Sequence, residues 1–282
     1  MKRLFFSLLL LSGCGGQKVD PNTSTETATE AESTVLPTAE SILDKALEVT
    51  NAKAEYENLN YVTLTTKMAV PQAGIVGTMV SHWKTPNIFV IEQDIPGIGK
   101  GKMGYNGEIG WSNDNMMGPR LLEGKELQEL IMDADLTADL DYKKWYTSLE
   151  VVELTEFNGK SAYKLNSTTT FGKESTRYFD AETGYDLGME AEVESPMGPM
   201  TIRMHYSEWT NIGGVTAPKF TKVQTGPVSM ESEILTIETN PELDDSVFDP
   251  PAVILELWNE QKAASETGGS DEAPAESEPK AE

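Results

Sequence analysis

Turn signals recur roughly every 8–14 residues through most of this chain, and that spacing constrains its fold more than any other feature. Asn106-Gly107 and Asn158-Gly159 each stand between alternating runs, and Asn-Gly tolerates the positive φ angles of a two-residue hairpin turn. Further turns fall at Gly172, at Glu182-Thr183-Gly184, at Pro196–Pro199 and at Gly213-Gly214. The segments between them have a period of two. Val62, Leu64, Met68 and Val70 alternate with Thr63, Thr65 and Lys67. Met79 and Trp83 share a face across Ser81, Phe89 and Ile91 alternate with Val90 and Glu92, and Ile109 and Trp111 continue after the first Asn-Gly turn. A last strand over 228–240 changes face between Ile234 and Leu235, the sign of a bulge. Eleven or twelve strands in an antiparallel meander are expected. That pattern excludes βαβ units and the two-lobed α/β fold of many solute-binding proteins.

Two helical stretches accompany the strands. Thr38 to Ala54 carries Ile42, Leu43, Ala46, Leu47 and Val49 near helical spacing, with Thr38 placed to cap it. Gly124 to Leu136 carries Leu127, Leu130 and Ile131 on one face. The fold class is mainly β with few helices.

The ends read differently. Lys2 and Arg3 precede an apolar run from Leu4 to Leu11, the layout of a secretory signal and too short to span a membrane. Leu11-Ser12-Gly13-Cys14 then resembles a bacterial lipobox. The resemblance implies a signal peptide over 1–13, acylation of Cys14, and stable anchoring through two or more chains. Gly15, not Asp, follows the cysteine; by resemblance to enterobacterial sorting rules this favours the outer membrane facing the periplasm, with the cell surface as the other site. Residues 14–36 form a lipidated cysteine and a polar tether, 37–258 a core, and 259–282 an acidic, solvated tail.

Charge narrows the partners. A net charge of −24 argues against nucleic acid and against broad contact with an anionic membrane surface. Cleavage before Cys14 removes two bases, Lys2 and Arg3, and no acid, giving −26. The tether holds four acids and one lysine and the tail seven acids and two lysines, leaving 35 acids and 17 bases on the core. The charge therefore belongs mostly to the folded domain.

No motif supplies a catalytic or metal centre. Cys14 is the only cysteine, and His82 and His205, the only histidines, fall within strands, where they read as structural. Gly99-Lys100-Gly101-Lys102-Met103-Gly104 has the G-x-G-x-x-G spacing but leads into a hairpin, whereas a dinucleotide site needs a helix there. Asn113, Asn115 and Gly118 imitate a calcium loop, but Met117 and Gly124 stand where ligands belong. Asp133, Asp135, Asp139 and Asp141 lack the loop glycine. Serine, histidine and aspartate occur without a G-x-S-x-G elbow. No cofactor and no catalytic residue is expected; a carboxylate hydrolase is the minor reading.

The methionines carry more information. Several lie on apolar strand faces, where this long, polarizable side chain either fills gaps in a core or lines an adaptable cavity. The residues expected to line such a cavity are Leu64, Met68, Met79, Trp83, Phe89 and Ile91. Met103, Trp111, Met116, Met117, Met189 and Met204 complete the set.

The order of motifs over residues 38–254 resembles the LolA/LolB-like superfamily of outer-membrane lipoprotein-sorting proteins. A helix precedes the meander. Tyr105-Asn106-Gly107-Glu108 leads to Trp111, and Leu121-Leu122-Glu123-Gly124 enters a helix. Gly214-Val215-Thr216-Ala217-Pro218, Asn240-Pro241 and Val247-Phe248-Asp249-Pro250-Pro251 close the series. The resemblance implies an incomplete antiparallel β-barrel with a helical lid, holding acyl chains of lipids or lipoproteins without catalysis. An envelope protein-interaction or sensor module on the same scaffold is the alternative it leaves open.

Overall fold

The computed structural model describes residues 35–267, apart from 98, 116 and 194–199. Cys14, the signal peptide, most of the tether, Met116 and the last residues of the tail lie outside the described residues.

The first helix, α1 (Ala39–Val49), begins where Thr38 Oγ1 accepts from Ser41 N at 3.2 Å. It ends earlier than the single helix expected to Ala54. Thr50 turns its hydroxyl back onto the Ala46 carbonyl at 2.8 Å, and Asn51 takes a left-handed conformation at φ 51°. A separate short helix, α2 (Ala52–Tyr56), follows. Glu55 fixes it to the sheet by accepting from Thr216 N at 2.8 Å and Thr216 Oγ1 at 2.9 Å.

Six strands come next: β1 (Tyr61–Val70), β2 (Ile75–Lys84), β3 (Ile88–Ile95), β4 (Gly99–Tyr105), β5 (Gly110–Asp114) and β6 (Gly118–Leu122). Two helices, α3 (Gly124–Ala134) and α4 (Tyr142–Trp145), then cross over. Seven strands complete the sheet: β7 (Tyr146–Phe157), β8 (Lys160–Thr169), β9 (Glu174–Asp180), β10 (Asp186–Val193), β11 (Met200–Ile212), β12 (Val215–Thr225) and β13 (Val228–Thr239). A C-terminal helix, α5, runs over Ala252–Thr267.

All 13 strands form one sheet in the order β6-β5-β4-β3-β2-β1-β13-β12-β11-β10-β9-β8-β7. Each meander is made of hairpins, and β1 paired antiparallel with β13 joins the two. The sheet is not closed into a barrel; β6 and β7 are its edges. The sequence reading of eleven or twelve strands was therefore short. Glycines hide β4 and Pro119 hides β6, because both residues lower the strand signal while remaining acceptable at a close approach or an edge. Gly104 shows the close approach: a Cβ there would lie 2.7 Å from the Phe89 carbonyl and 3.0 Å from the Trp111 ring. The bulge expected near Leu235 is present. Thr65 pairs with Thr236 and Thr66 with Ile234, so Leu235 is the extra residue.

Apolar side chains cover both faces. Under α1–α3 lies the lid face, where Val62, Leu64, Trp83 and Phe89 meet Tyr56 and Leu130. The back face holds Val90, Ile109 and Trp111, packed on Ile254 of α5 and on Phe248. Here the sequence placed a solvated tail from residue 259, and the helix instead continues to Thr267. Ile254, Leu257 and Trp258 anchor it in the apolar groove, and Lys262 extends the contact by donating to Glu108 at 3.2 Å.

If α5 is part of the folded domain, its buried and exposed positions should differ sharply. Ile254→Ala, at a side chain 0% exposed, should lower unfolding free energy by about 2–5 kcal/mol in denaturant titration. Leu255→Ala, at 42% exposure, should change it by less than about 0.5 kcal/mol.

Candidate functional site

Strand register arranges the lid face in rows. Trp83, Phe89 and Tyr105 form one row, with Trp83 and Phe89 rings 4.9 Å apart. Ser81, Ile91 and Met103 form the next, and Met79 and Gln93 the one beyond. The first rows lie beneath helices: Leu127, Leu130 and Ile131 of α3 pack there, with Leu47 of α1 and Leu136 and Leu140 of the crossover.

Farther along, the cover changes. Met68, Met79 and Ile95 are buried together, with Ile75, Ile91 and Met230 packed against them. All six come from β1, β2, β3 and β13, and no helix residue belongs to this cluster among the described residues. From Met230 a row continues across the second meander through Val223, Met204 and Met189 to Arg177. Met189, Met204 and Met230 are half-buried. The chain thus carries a methionine-lined band along the face that its helices leave less covered.

Of the twelve residues expected to line a cavity, the eleven other than Met116 are described and divide accordingly. Leu64, Trp83, Phe89, Ile91 and Met103 sit in the helix-covered centre. Met68 and Met79 lie in the strand-only cluster, and Met189 and Met204 in the adjoining row. Met117 is at the tip of the β5–β6 turn and 67% exposed. Trp111 is on the back face under α5, so it cannot share a cavity with the others. Met230 and Arg177 belong to the band and were not anticipated. Met230 had a signal, its period-two spacing with Ser232 and Ile234; Arg177 had none.

Arg177 is the charged element of this face. Its guanidinium, buried, donates to Asp186 Oδ2 at 2.7 Å from Nη2 and 3.0 Å from Nε, and stands 3.5 Å from Asp139 Oδ1. It also lies over the Phe179 ring at 4.8 Å. Burial opposes its charge, but Asp186 and Asp139 outweigh that and raise its pKa, so it stays protonated. Burial raises the Asp186 carboxyl, against the pull of Arg177. Asp135 holds the crossover in the same region. It accepts from Thr137 N and Oγ1 at 2.9 and 2.7 Å, and from Lys144 and Trp145 at 3.0 and 3.2 Å. Two of the aspartates weighed as calcium ligands are thereby engaged in holding the lid.

Both histidines lie on the back face. Thr63 Oγ1 is 2.9 Å from His82 Nδ1, and His205 sits 6.3 Å from the Phe157 ring. Burial lowers both pKa values, which keeps the rings neutral at pH 7. Two clefts also lie off the lid face. One of about 160 Å³ is lined by Glu153, Lys164, Tyr178, Glu190 and Arg203. The other, about 360 Å³, is at the strand ends beside Asn60, Lys84 and Asn240. The lid face offers apolar contact surface, with the internally compensated Arg177 at the end of the methionine row.

No family model and no curated protein matches the chain. Solved structures do. The LolA superfamily protein NE2245 from Nitrosomonas europaea is 16% identical, over 76% of this chain and 99% of that one, with a TM-score of 0.51. A DUF1329 family protein from Desulfovibrio piger is 10% identical over 75% and 97%, with a TM-score of 0.50. At these identities the likeness is one of fold: the chain has the LolA-like architecture, an open antiparallel sheet with helices over one face, and here α5 on the other.

Proposed function

We propose that this protein is a non-enzymatic envelope lipoprotein that holds acyl chains of lipids or lipoproteins against its lid face. The observation that carries the reading is the methionine band, from Met68 and Met79 through Met230 to Met204 and Met189. Thioether side chains adapt to a flexible hydrocarbon without requiring one fixed shape. An acyl chain gains about 0.8 kcal/mol per buried methylene, so ten methylenes supply on the order of 8 kcal/mol before ordering costs. That suffices for capture without any reacting group. The LolA-like fold supports the reading, as does the sequence Leu11-Ser12-Gly13-Cys14, which suits an acylated anchor. Gly15 after the cysteine supports residence in the outer membrane on its periplasmic side.

Lipid extraction and native mass spectrometry of the purified chain should recover bound acyl lipid, and a fluorescent fatty acid should be taken up. Met204→Gln with Met230→Gln, both half-buried, should weaken that uptake by about tenfold, because amides enter a hydrocarbon contact at a cost. Met117→Gln on the exposed turn should leave it unchanged. A chain free of lipid that also refuses the probe contradicts the reading. Separately, Cys14→Ser should move the protein from the membrane to the soluble fraction and abolish labelling by palmitate, with its thermal unfolding unchanged.

A further inference from the structure

An open sheet ends in two edges, and here they are unlike. β6 is 5 residues long, contains Pro119 and lies against α5. Shortness, proline and a covering helix are ordinary protections of an edge. β7 has 12 residues and neither proline nor lysine. Tyr146, Leu149 and Val151, all in its first half, join the cluster under α1. In its second half Val152 is 40% exposed and Leu154 46% exposed, between the exposed Glu150, Glu153 and Glu156.

The turn after β7 determines which backbone groups face outward. Asn158 and Gly159 both have positive φ, 50° and 79°, the pattern of a two-residue I′ loop. Such a loop makes the flanking pair, Phe157 with Lys160, a hydrogen-bonded pair, and such pairs then alternate along the ladder. The register is unbroken from that pair back to Glu153 with Lys164. Phe157, Thr155 and Glu153 therefore direct their N–H and C=O groups to β8. Leu154 and Glu156 direct theirs to the open side.

We propose that the β7 edge from Val152 to Phe157 accepts an extended segment of another protein as an additional strand, one in which basic and apolar residues alternate. Main-chain hydrogen bonds to Leu154 and Glu156 supply the pairing, and alternate side chains supply selectivity. Charge selects the occupant. Glu153 is paired with Lys164 at 3.1 Å, while Glu150 and Glu156 make no ion pair among the described residues. Register puts Glu150 on the back face with Glu153, and Glu156 on the lid face with Leu154, so basic side chains are favoured on the back face beside Glu150 and apolar ones on the lid face beside Leu154. A second copy of this chain would bring glutamate against glutamate, and like charges across a ladder repel. The chain's own residues 268–282, with five acids and one lysine, are excluded on the same ground.

The test uses the full chain and a synthetic ten-residue peptide of lysine alternating with valine or threonine. A twin with alternating L and D residues keeps the charge but cannot extend as a strand. The all-L peptide should bind and slow hydrogen exchange at the Leu154 and Glu156 amides. The twin should bind at least about tenfold more weakly. Leu154→Pro removes an outward N–H and leaves the β8 ladder intact, so it should cost about tenfold. Glu150→Lys with Glu156→Lys should cost a similar factor. If Leu154→Pro does not fold, the exchange map and the twin decide on the wild-type chain. Equal binding of the twin, protection confined to other strands, or no binding overturns the proposal. So does protection of β7 by self-association without peptide, which would make the occupant a second copy.

Discussion

Everything in this fold depends on one non-local ladder. Hairpins can build β1–β6 and β7–β13 separately, but only β1 against β13 makes them one sheet. The partners are almost 180 residues apart in sequence, as the bond between Asn60 N and Asn240 Oδ1 records. Asn240 strengthens the start of that ladder. Its carboxamide accepts from Asn60 N at 2.7 Å and donates to the Asn58 carbonyl at 2.9 Å, while its own N–H meets the Tyr61 carbonyl at 2.7 Å. Such a contact carries a loop-closure cost that local turns do not. Its payoff is a lid face wide enough to carry both the helices and the methionine band.

The lid is held by polar groups at its rim and by apolar ones beneath. Glu55 binds α2 to β12, Asp135 ties the crossover to α4, and Asp139 reaches Arg177 in the sheet. Burying that guanidinium costs free energy unless its partners are in place, so the pair with Asp186 fixes geometry more than it adds stability. The strand-only cluster around Met68 and Met79 has no such clamps among its members. Rigid and adaptable parts of one face are thus separated along the strands.

The sequence was most legible where local chemistry decides. Asn158-Gly159 makes the two-residue turn expected of it and Leu235 bulges where the alternation slips, whereas at Asn106-Gly107 only the glycine has a positive φ and four residues separate Tyr105 from its partner Gly110. It was least legible where tertiary cover decides. Phe89 and Val90 are both fully buried, one on each face, so alternation in β3 could not tell lid from back. Trp111 suffered from the same ambiguity: its partner is α5, and the polar second half of that helix looked like tail. The break at Asn51 depends on one backbone conformation that the apolar stripe of α1 does not report. Arg177 was invisible because an arginine in a strand reads as surface until its two aspartates, from a distant turn and a neighbouring strand, are brought to it.

The gap between β6 and β7 has a mechanical consequence. No ladder spans it, so the two meanders can spread or draw together without breaking a sheet hydrogen bond, pivoting on β1 and β13 as on a spine. The crossover through α3 and α4 and the side-chain contacts beneath the lid resist that motion. A closed barrel has a bore fixed by strand number and stagger. This open sheet has no such fixed stagger between β6 and β7, so its width at the gap is set by what packs across it and not by strand count.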